Sequence, residues 1–294
     1  MKRILCLLLA IVFVLSLLAC SSDKSDDKDS GKKPNGSSNL NSTVTLSDIK
    51  LPEQVVYDEE DVKITVTGLA ADDIFGPEIK LTVENNGTKN ILVQVDAMAI
   101  NNIMVTPVFS CEVDAGKKAN DEISVMESEL KTAGIELLKE IDVIFNIINP
   151  ENYQRISSSG LIRLTTDLDE SYSQKIDTEG VTAHDGDGVK IVIQKLSDDN
   201  ILDLTNVGVY IENNSDKRVI ITAKNISVNG FMIEPLFSAE IIPGKIAVDE
   251  MSFLKSKLSE NGITEITEIE LNFSILDMDT FSTIKDTQKV KVTF

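Results

Sequence analysis

The chain contains a long internal repeat, because its second half matches the first at a constant spacing. The segment Val-Glu-Asn-Asn at 83–86 returns as Ile-Glu-Asn-Asn at 211–214, and this offset of 128 positions holds without a gap to the last residue. Further matched pairs are Pro107 with Pro235, Phe109 with Phe237, Gly116 with Gly244, and Leu130 with Leu258. A self-match of this length is the signature of duplication. The chain is therefore predicted to hold two copies of one domain.

The N-terminus has the features of a secretory signal that ends at a cysteine. Lys2 and Arg3 precede an apolar run at 4–18, which is shorter than the roughly 20 residues that span a bilayer. The Leu-Leu-Ala-Cys ending resembles the bacterial lipobox. That resemblance implies cleavage after residue 19 and acylation of Cys20, with palmitate among the acyl chains, so that the protein is anchored in the cell membrane at its extracytoplasmic face. The alternative is a plain signal peptide followed by an incidental cysteine.

The net charge of −20 excludes some classes of partner. Aspartates and lysines balance in residues 21–50, so the acidic excess lies on the two repeats. Such a surface repels nucleic acid and anionic headgroups, whose recognition needs clustered lysine and arginine. It would attract cations or basic partners, although solubility alone also accounts for it.

The polar composition of residues 20–50 predicts a flexible tether after the signal peptide at 1–19. The repeats then give domain 1 at 51–166 and domain 2 at 179–294. The polar segment 167–178 between them is predicted to be a linker that allows relative motion.

Apolar alternation predicts strands throughout both repeats. Ile141, Val143, Phe145 and Ile147 alternate with Glu140, Asp142 and Asn146, a pattern that repeats at 268–275. The apolar phase shifts after Val95 in one copy and at the matching place in the other, which predicts a β-bulge. Tight turns are predicted at Asn86-Gly87 and at Asn101-Asn102.

Two local features interrupt the strand pattern. Pro107 predicts a break or an edge in its strand, because proline lacks a backbone donor. Ser128 and Gly134 predict the start and end of a short helix, and Ser256 and Gly262 repeat them. Short strands at this spacing predict an all-β fold of two tandem immunoglobulin-like β-sandwich domains, each with one short helix. The tryptophan of antibody domains is absent, since the chain has no tryptophan.

The repeat resembles a known family of domains. The segments 228–240, 243–245, 258–263 and 268–271 look like the immunoglobulin-like repeats of predicted lipoproteins from Gram-positive, clostridial-type bacteria. The first copy departs at Asn102, where the second has glycine, and at Cys111, where the second has alanine. The resemblance implies the fold and the location, and it transfers no functional residue, because the family has no assigned activity.

The sequence pattern gives little support for a metal site. Asp185 and Asp187 begin like a calcium-binding loop, but the positions that should carry the remaining ligands are Val189 and Leu196, so the pattern fails. Asp198 and Asp199 are possible helpers. The turn at 185–188 is instead predicted to be a hairpin turn. The only histidine, His184, is predicted to be a turn residue equivalent to Tyr57.

No catalytic residue or cofactor is predicted, although the many carboxylates leave an acid-dyad hydrolase as an alternative. Cys111 is predicted to be a small buried residue and not a nucleophile. Lys117 and Lys245 are predicted to be loop residues, and the alternative is a contact that both copies share. The predicted function is a non-enzymatic surface lipoprotein that binds an envelope or extracellular protein. The alternative is an extracellular ligand- or calcium-binding lipoprotein.

Overall fold

The computed structural model describes residues 44–72, 76–199 and 201–294. The predicted signal peptide, Cys20 and all of the tether before residue 44 lie outside this part of the chain. No helix in the described ranges has the length and the hydropathy to cross a bilayer.

Domain 1 is built from strands β1–β11 and helix α1. The bounds are β1 Gln54–Glu59, β2 Val62–Asp72, β3 Gly76–Asn85, β4 Ile91–Ile100, β5 Ile103–Val105, β6 Pro107–Val108, β7 Ser110–Val113, β8 Lys118–Val125, α1 Glu127–Thr132, β9 Glu140–Ile148, β10 Arg155–Ser158 and β11 Ile162–Thr165. A 3-10 turn at Leu46–Asp48 precedes β1.

Domain 2 repeats this order. Its bounds are β12 Val181–Gly186, β13 Val189–Asp199, β14 Leu204–Asn213, β15 Val219–Val228, β16 Phe231–Met232, β17 Ser238–Ile241, β18 Lys245–Leu254, α2 Lys255–Glu260, β19 Glu268–Asp277, β20 Thr283–Asp286 and β21 Val290–Thr293. The counterpart of β6 is a single bridge between Leu236 and Ser252.

Each repeat forms a β-sandwich. In domain 1, the sheet β1-β2-β3-β8-β6 faces β10-β9-β4-β5, with β7 paired to β4 and β11 to β9. In domain 2, β12-β13-β14-β18 faces β16-β15-β19-β20, with β17 paired to β15 and β21 to β19. The all-β, immunoglobulin-like fold predicted from the sequence is therefore confirmed, with one short helix in each copy.

The two cores repeat the same packing. The rings of Phe109 and Phe145 meet edge to face at 6.2 Å, and those of Phe237 and Phe273 do so at 6.0 Å. The apolar side of β9 is buried as predicted, since Ile141, Val143, Phe145 and Ile147 are at most 1% exposed.

Several predicted irregularities are confirmed. The pairing of β4 with β9 shifts register between Val95 and Ala97, and the matching pair in domain 2 shifts as well. Asn101 and Asn102 both have positive φ in the turn before β5. The strand predicted to break at Pro107 does so: β5 and β7 pair with β4, whereas the short β6 between them pairs with β8 of the facing sheet.

Two local predictions are wrong. Asn86-Gly87 is not a tight turn, because β3 and β4 lie in opposite sheets and the connection crosses between them. Ser128 does not cap α1: the helix begins at Glu127 directly after β8, and the N-cap residue is Met126, which makes no side-chain cap bond. The matching cap in domain 2 is Leu254, so Ser256 lies inside its helix.

The two sandwiches share a sheet. Ile246 at the start of β18 pairs in parallel with Ile103 of β5, and its N–H donates to the Asn102 carbonyl at 3.1 Å. The described residues between 44 and 294 consequently belong to one compact unit. The sequence predicted that the two domains move relative to each other, and a sheet that continues from one domain into the other does not fit that prediction.

The segments flanking domain 1 are also held in place. The Lys50 N–H donates to Asp167 Oδ1 at 2.7 Å, and Ile49, at the end of the predicted tether, is 4% exposed. In the predicted linker, Gln174 Nε2 donates to the Gly134 carbonyl at 2.7 Å. Both segments therefore pack on the sandwich.

Candidate functional site

The outer face of the first sheet of domain 2 is apolar and is covered by domain 1. Val192, Tyr210 and Ile246 are 2%, 5% and 8% exposed and belong to the same buried cluster as the core of domain 1. Val248 and the linker residue Ile176 pack against that cluster. Burial of these apolar side chains supplies the hydrophobic contribution to the contact between the domains.

The same face of domain 1 is polar. The residues at the matching positions are Thr65, Thr82 and Lys118, which are not buried. Thr82 Oγ1 donates to Asn120 at 2.7 Å, and Lys118 pairs with Glu84 at 2.7 Å. Of these two equivalent faces, the one in the second copy is apolar and is covered by the other domain.

A buried ion pair joins the domains beside the shared strands. Lys245 donates to Asp142, and their side chains are 4% and 2% exposed. Arg163 donates to both carboxylate oxygens of Asp142 at 2.8 and 2.9 Å, and Lys245 Nζ also reaches Asn102 Oδ1 at 3.1 Å. Burial raises the pKa of Asp142, but the bonds from Arg163 and Lys245 outweigh it, so the pKa lies below its usual range. The prediction that Lys245 is a loop residue is wrong.

A second cationic bridge lies at the same junction. Arg218 of domain 2 donates to Asp96 of domain 1, through Nη1 to Oδ2 at 2.6 Å and through Nη2 to the carbonyl at 3.0 Å. The same guanidinium pairs with Glu240. Arg218 therefore neutralises two carboxylates where the repeats meet.

Next to these bridges the two domains border an open cavity of about 590 Å³. Domain 1 contributes β5, the Pro107 segment and α1, and domain 2 contributes β14, β17 and β18. Six carboxylates line this junction cavity: Asp96, Glu129, Asp199, Glu240, Asp249 and Glu250. Its size falls within the range of ligand sites.

Two of these carboxylates face the cavity without a cation. Glu129 accepts the Thr106 N–H at 2.7 Å, and Asp249 accepts the Glu250 N–H at 2.7 Å. In the described part of the chain neither carboxyl has an ion-pair partner. Burial raises the pKa of Glu129, and the charge of Asp249 adds to this. Burial also raises the pKa of Asp249, with a smaller contribution from Glu250.

The other carboxylates are already engaged. Asp199 Oδ1 accepts the N–H groups of Ile201 and Leu202 at 2.8 and 3.0 Å. Glu250 accepts from Ser197 at 3.0 Å and from Asn206 Nδ2 at 2.8 Å. Asn206 is 5% exposed and lines the cavity, but its Oδ1 is buried without a hydrogen-bond partner.

The structure does not bring the four candidate calcium ligands together. Asp187 lies in the β12–β13 turn, where Asp187 and Gly188 have positive φ, as the hairpin prediction requires. Asp185 precedes that turn, whereas Asp198 and Asp199 end the eleven-residue β13, roughly 33 Å away at the usual rise of a strand. Asp198 bonds Thr205 and Lys255 instead. In the described ranges no three His, Cys, Asp or Glu side chains form a group that could hold a metal ion.

The other singled-out residues have structural roles. The prediction that His184 is a turn residue is wrong: it lies in β12, and its Nε2 contacts the Gly186 carbonyl at 3.0 Å. Cys111 is buried as predicted; desolvation and the nearby Asp121 raise the pKa of its thiol to about 12, which makes it unreactive. Lys117 is exposed, unlike its repeat mate Lys245.

The sequence analysis did not predict the junction cavity, although a difference between the two copies indicates the docked face beside it. Comparing the copies position by position shows Val192, Tyr210 and Ile246 where the first copy has Thr65, Thr82 and Lys118. Apolar residues on an outer face that is polar in the other copy indicate a docking surface.

No protein-family model matches the chain, and no curated protein does. Among solved structures it is similar to the YadV chaperone, with 13% identity, coverage of 79% of this chain and 100% of that one, and a TM-score of 0.24. A Salmonella enterica SafA pilin complex with the SafB chaperone gives 13% identity, 74% and 89% coverage and a TM-score of 0.22. A Porphyromonas gingivalis protein of unknown function has 12% identity, coverage of 84% of this chain and 99% of that one, and a TM-score of 0.20. Similarities this weak assign no function.

Proposed function

We propose that the protein is a non-enzymatic lipoprotein, anchored to the cell membrane through acylated Cys20, whose two sandwiches together bind a protein partner in the envelope or outside the cell. The observation that carries this proposal is the junction cavity, because both domains contribute to it and two ion pairs join the domains beside it. The cavity needs both repeats, so a single copy of the domain would not form it.

Exposed apolar residues border the same cavity. Leu202 lines it and is 65% exposed, and the adjacent Ile201 is 93% exposed. Leu236 is 64% exposed and pairs with Ser252, another lining residue. Large apolar side chains grouped around a concave site are typical of surfaces that bind other proteins.

Site-specific crosslinking in cells tests the partner surface. The photoreactive residue benzoylphenylalanine replaces Leu236 in one variant and Lys118, on the open polar face of domain 1, in another. We expect a discrete crosslinked protein at position 236 and none at position 118. Equal labelling at both positions, or none at 236, would contradict a partner at the junction.

Fractionation tests the anchor separately. The full chain, expressed in a Gram-positive host, should remain with membranes, and its N-terminal peptide should carry the mass of acyl chains on Cys20. Cys20→Ala should move the protein to the aqueous fraction. Membrane retention of Cys20→Ala, or an unmodified Cys20 in the wild type, would remove the lipid anchor from the proposal.

A further inference from the structure

We propose that Lys245 of domain 2 and Asn102 of domain 1 become joined by an amide bond between Lys245 Nζ and Asn102 Cγ, with Asp142 as the proton carrier. The bond makes the junction of the domains a site of covalent modification. It goes beyond the proposed function, because it concerns how the two sandwiches are held together and needs no partner.

The groups that react are already in contact. Lys245 Nζ donates to Asn102 Oδ1 at 3.1 Å and also donates to Asp142 Oδ2. Since a C=O bond is about 1.2 Å long, Nζ lies within about 4.4 Å of the amide carbon. Reacting atoms that a protein holds in position start from about 3–3.5 Å. A small rotation of the Asn102 amide therefore brings the two atoms into reaction distance.

The backbone holds this contact in place. The next residues along the chain, Ile103 and Ile246, pair as neighbouring strands, and the Ile246 N–H donates to the Asn102 carbonyl at 3.1 Å. The amine and the amide therefore lie at one end of a shared pair of strands. Positioning of this kind gives two side chains a high effective concentration toward each other.

Asn102 occupies a position whose backbone favours glycine. Its φ is +74°, and the equivalent residue of domain 2 is Gly230, with a φ of +86°. Asparagine adopts this left-handed region more readily than most residues that carry a side chain. The side chain that stands in place of glycine here makes the contact with Lys245. Because Gly230 has no amide side chain, the equivalent pair of Lys117 and Gly230 offers no such reaction.

Asp142 is placed to move the proton that the reaction requires. An ammonium group is not a nucleophile, so Lys245 first gives one proton to the carboxylate that it contacts. The neutral amine attacks Cγ, the Nζ–Cγ bond forms and the bond between Cγ and Nδ2 breaks. The new amide nitrogen gives up a second proton. Both protons leave with Nδ2 as ammonium, and Asp142 is ionised again.

The surroundings of the triad fit a slow reaction. Arg163 opposes the first proton transfer, because it helps to hold the pKa of Asp142 below its usual range. The Arg163 side chain is 52% exposed, however, so its charge stays hydrated when Asp142 is neutral. Asn102 is exposed, so ammonium passes directly into solvent. We therefore expect the bond to form as a maturation step after folding.

Peptide mass spectrometry of the full chain tests the bond. The purified protein is digested with trypsin at once and again after several days at neutral pH. We expect one species that joins the peptide containing Asn102 to the peptide containing Lys245, with a mass equal to their sum less one ammonia. Its fraction should grow during incubation as the two unlinked peptides disappear.

Matched variants identify the residues that react. Asn102→Gly, which introduces the residue of the other copy, and Lys245→Arg, which keeps a cation beside Asp142, should give no linked species. Lys117→Arg, at the exposed repeat position, should form the link like wild type. Asp142→Asn should form it more slowly, and near-ultraviolet circular dichroism checks that this variant is folded.

Three results would overturn the proposal. The first is a wild-type protein whose two peptides stay unlinked after incubation. The second is a loss of ammonia that maps to an Asn-Gly pair such as Asn86-Gly87 and persists in Asn102→Gly, because ring closure of asparagine onto the backbone also releases ammonia. The third is a linked species that survives in Lys245→Arg. A folded Asp142→Asn protein that links at the wild-type rate would remove Asp142 from the reaction.

Discussion

Lys245 of the second sandwich and Asp142 of the first form a buried ion pair across the junction of the repeats. The equivalent residues of the other copy, Lys117 and Glu270, are exposed and partly exposed. The burial of Lys245 and Asp142 arises only because the two domains dock. The pair thus links the duplication of the sequence to the cavity beside it.

Lys245→Met should destabilise the protein by about 3–5 kcal/mol, because it leaves Asp142 buried with Arg163 as its remaining cation. Lys117→Met, at the exposed repeat position, should change stability by no more than about 0.5 kcal/mol. Urea unfolding of both variants provides the measurement. Equal stabilities would show that the buried pair does not hold the junction.

Glu129→Gln and Asp249→Asn should each stabilise the protein at neutral pH by about 1 kcal/mol, the usual size of such a gain. The pKa of each carboxyl is raised in the folded state, so protonation favours folding. The stability that each carboxyl contributes is fully present below the unfolded pKa of about 4 and is lost as the pH rises through the folded pKa, where the buried carboxylate becomes charged. The gain should therefore shrink as the pH is lowered, which unfolding curves across the acid range can check. Destabilisation at neutral pH would mean that the two charges are compensated.

Asn213→Ala should cost about 2 kcal/mol or more, since the Asn213 side chain donates to the carbonyls of Lys217 and Ile241 and accepts the Ser215 N–H. Asn214→Ala, at the exposed neighbouring position, should be nearly neutral.

The same two substitutions in domain 1 test the duplication. Asn85 makes the matching bonds to the carbonyls of Lys89 and Val113. Asn85→Ala should therefore cost as much as Asn213→Ala, and Asn86→Ala as little as its mate. Thermal unfolding of the set measures both contrasts. Unequal costs at Asn85 and Asn213 would show that the repeats use this residue differently.

Phe273→Ala should cost about 3–5 kcal/mol, because the ring is fully buried and packs edge to face on Phe237. Phe231→Ala removes a ring that is 47% exposed and should change stability little. Calorimetric melting of the two variants compares them directly. A Phe273→Ala protein that melts within a degree of wild type would exclude this ring as a core anchor.

The interior of each sandwich was predictable because its determinants are local. Period-two alternation identified the buried side of β9, and the asparagine pair at 101–102 identified a turn. Both features depend on residues a few positions apart. The register shift after Val95 was visible for the same reason, because the apolar phase changes within one strand.

The site was not predictable in this way, because it depends on contacts between the copies. The pattern of β9 placed Asp142 on an outer, solvated side, and that is correct for its mate Glu270. Asp142 is nevertheless buried, because Lys245 and the sheet edge of the other domain cover it. Glu129 and Asp249 likewise lie 120 positions apart in sequence, and only docking places both at one cavity.

Native-state hydrogen exchange at the Ile246 amide tests most directly whether the two sandwiches form one body. This N–H donates across the junction to the Asn102 carbonyl, whereas the Phe273 N–H donates to Thr287 Oγ1 inside domain 2. A fixed junction predicts that both amides exchange slowly and with the same free energy of opening. Exchange of Ile246 orders of magnitude faster than that of Phe273 would show that the domains separate freely, and it would contradict a shared cavity.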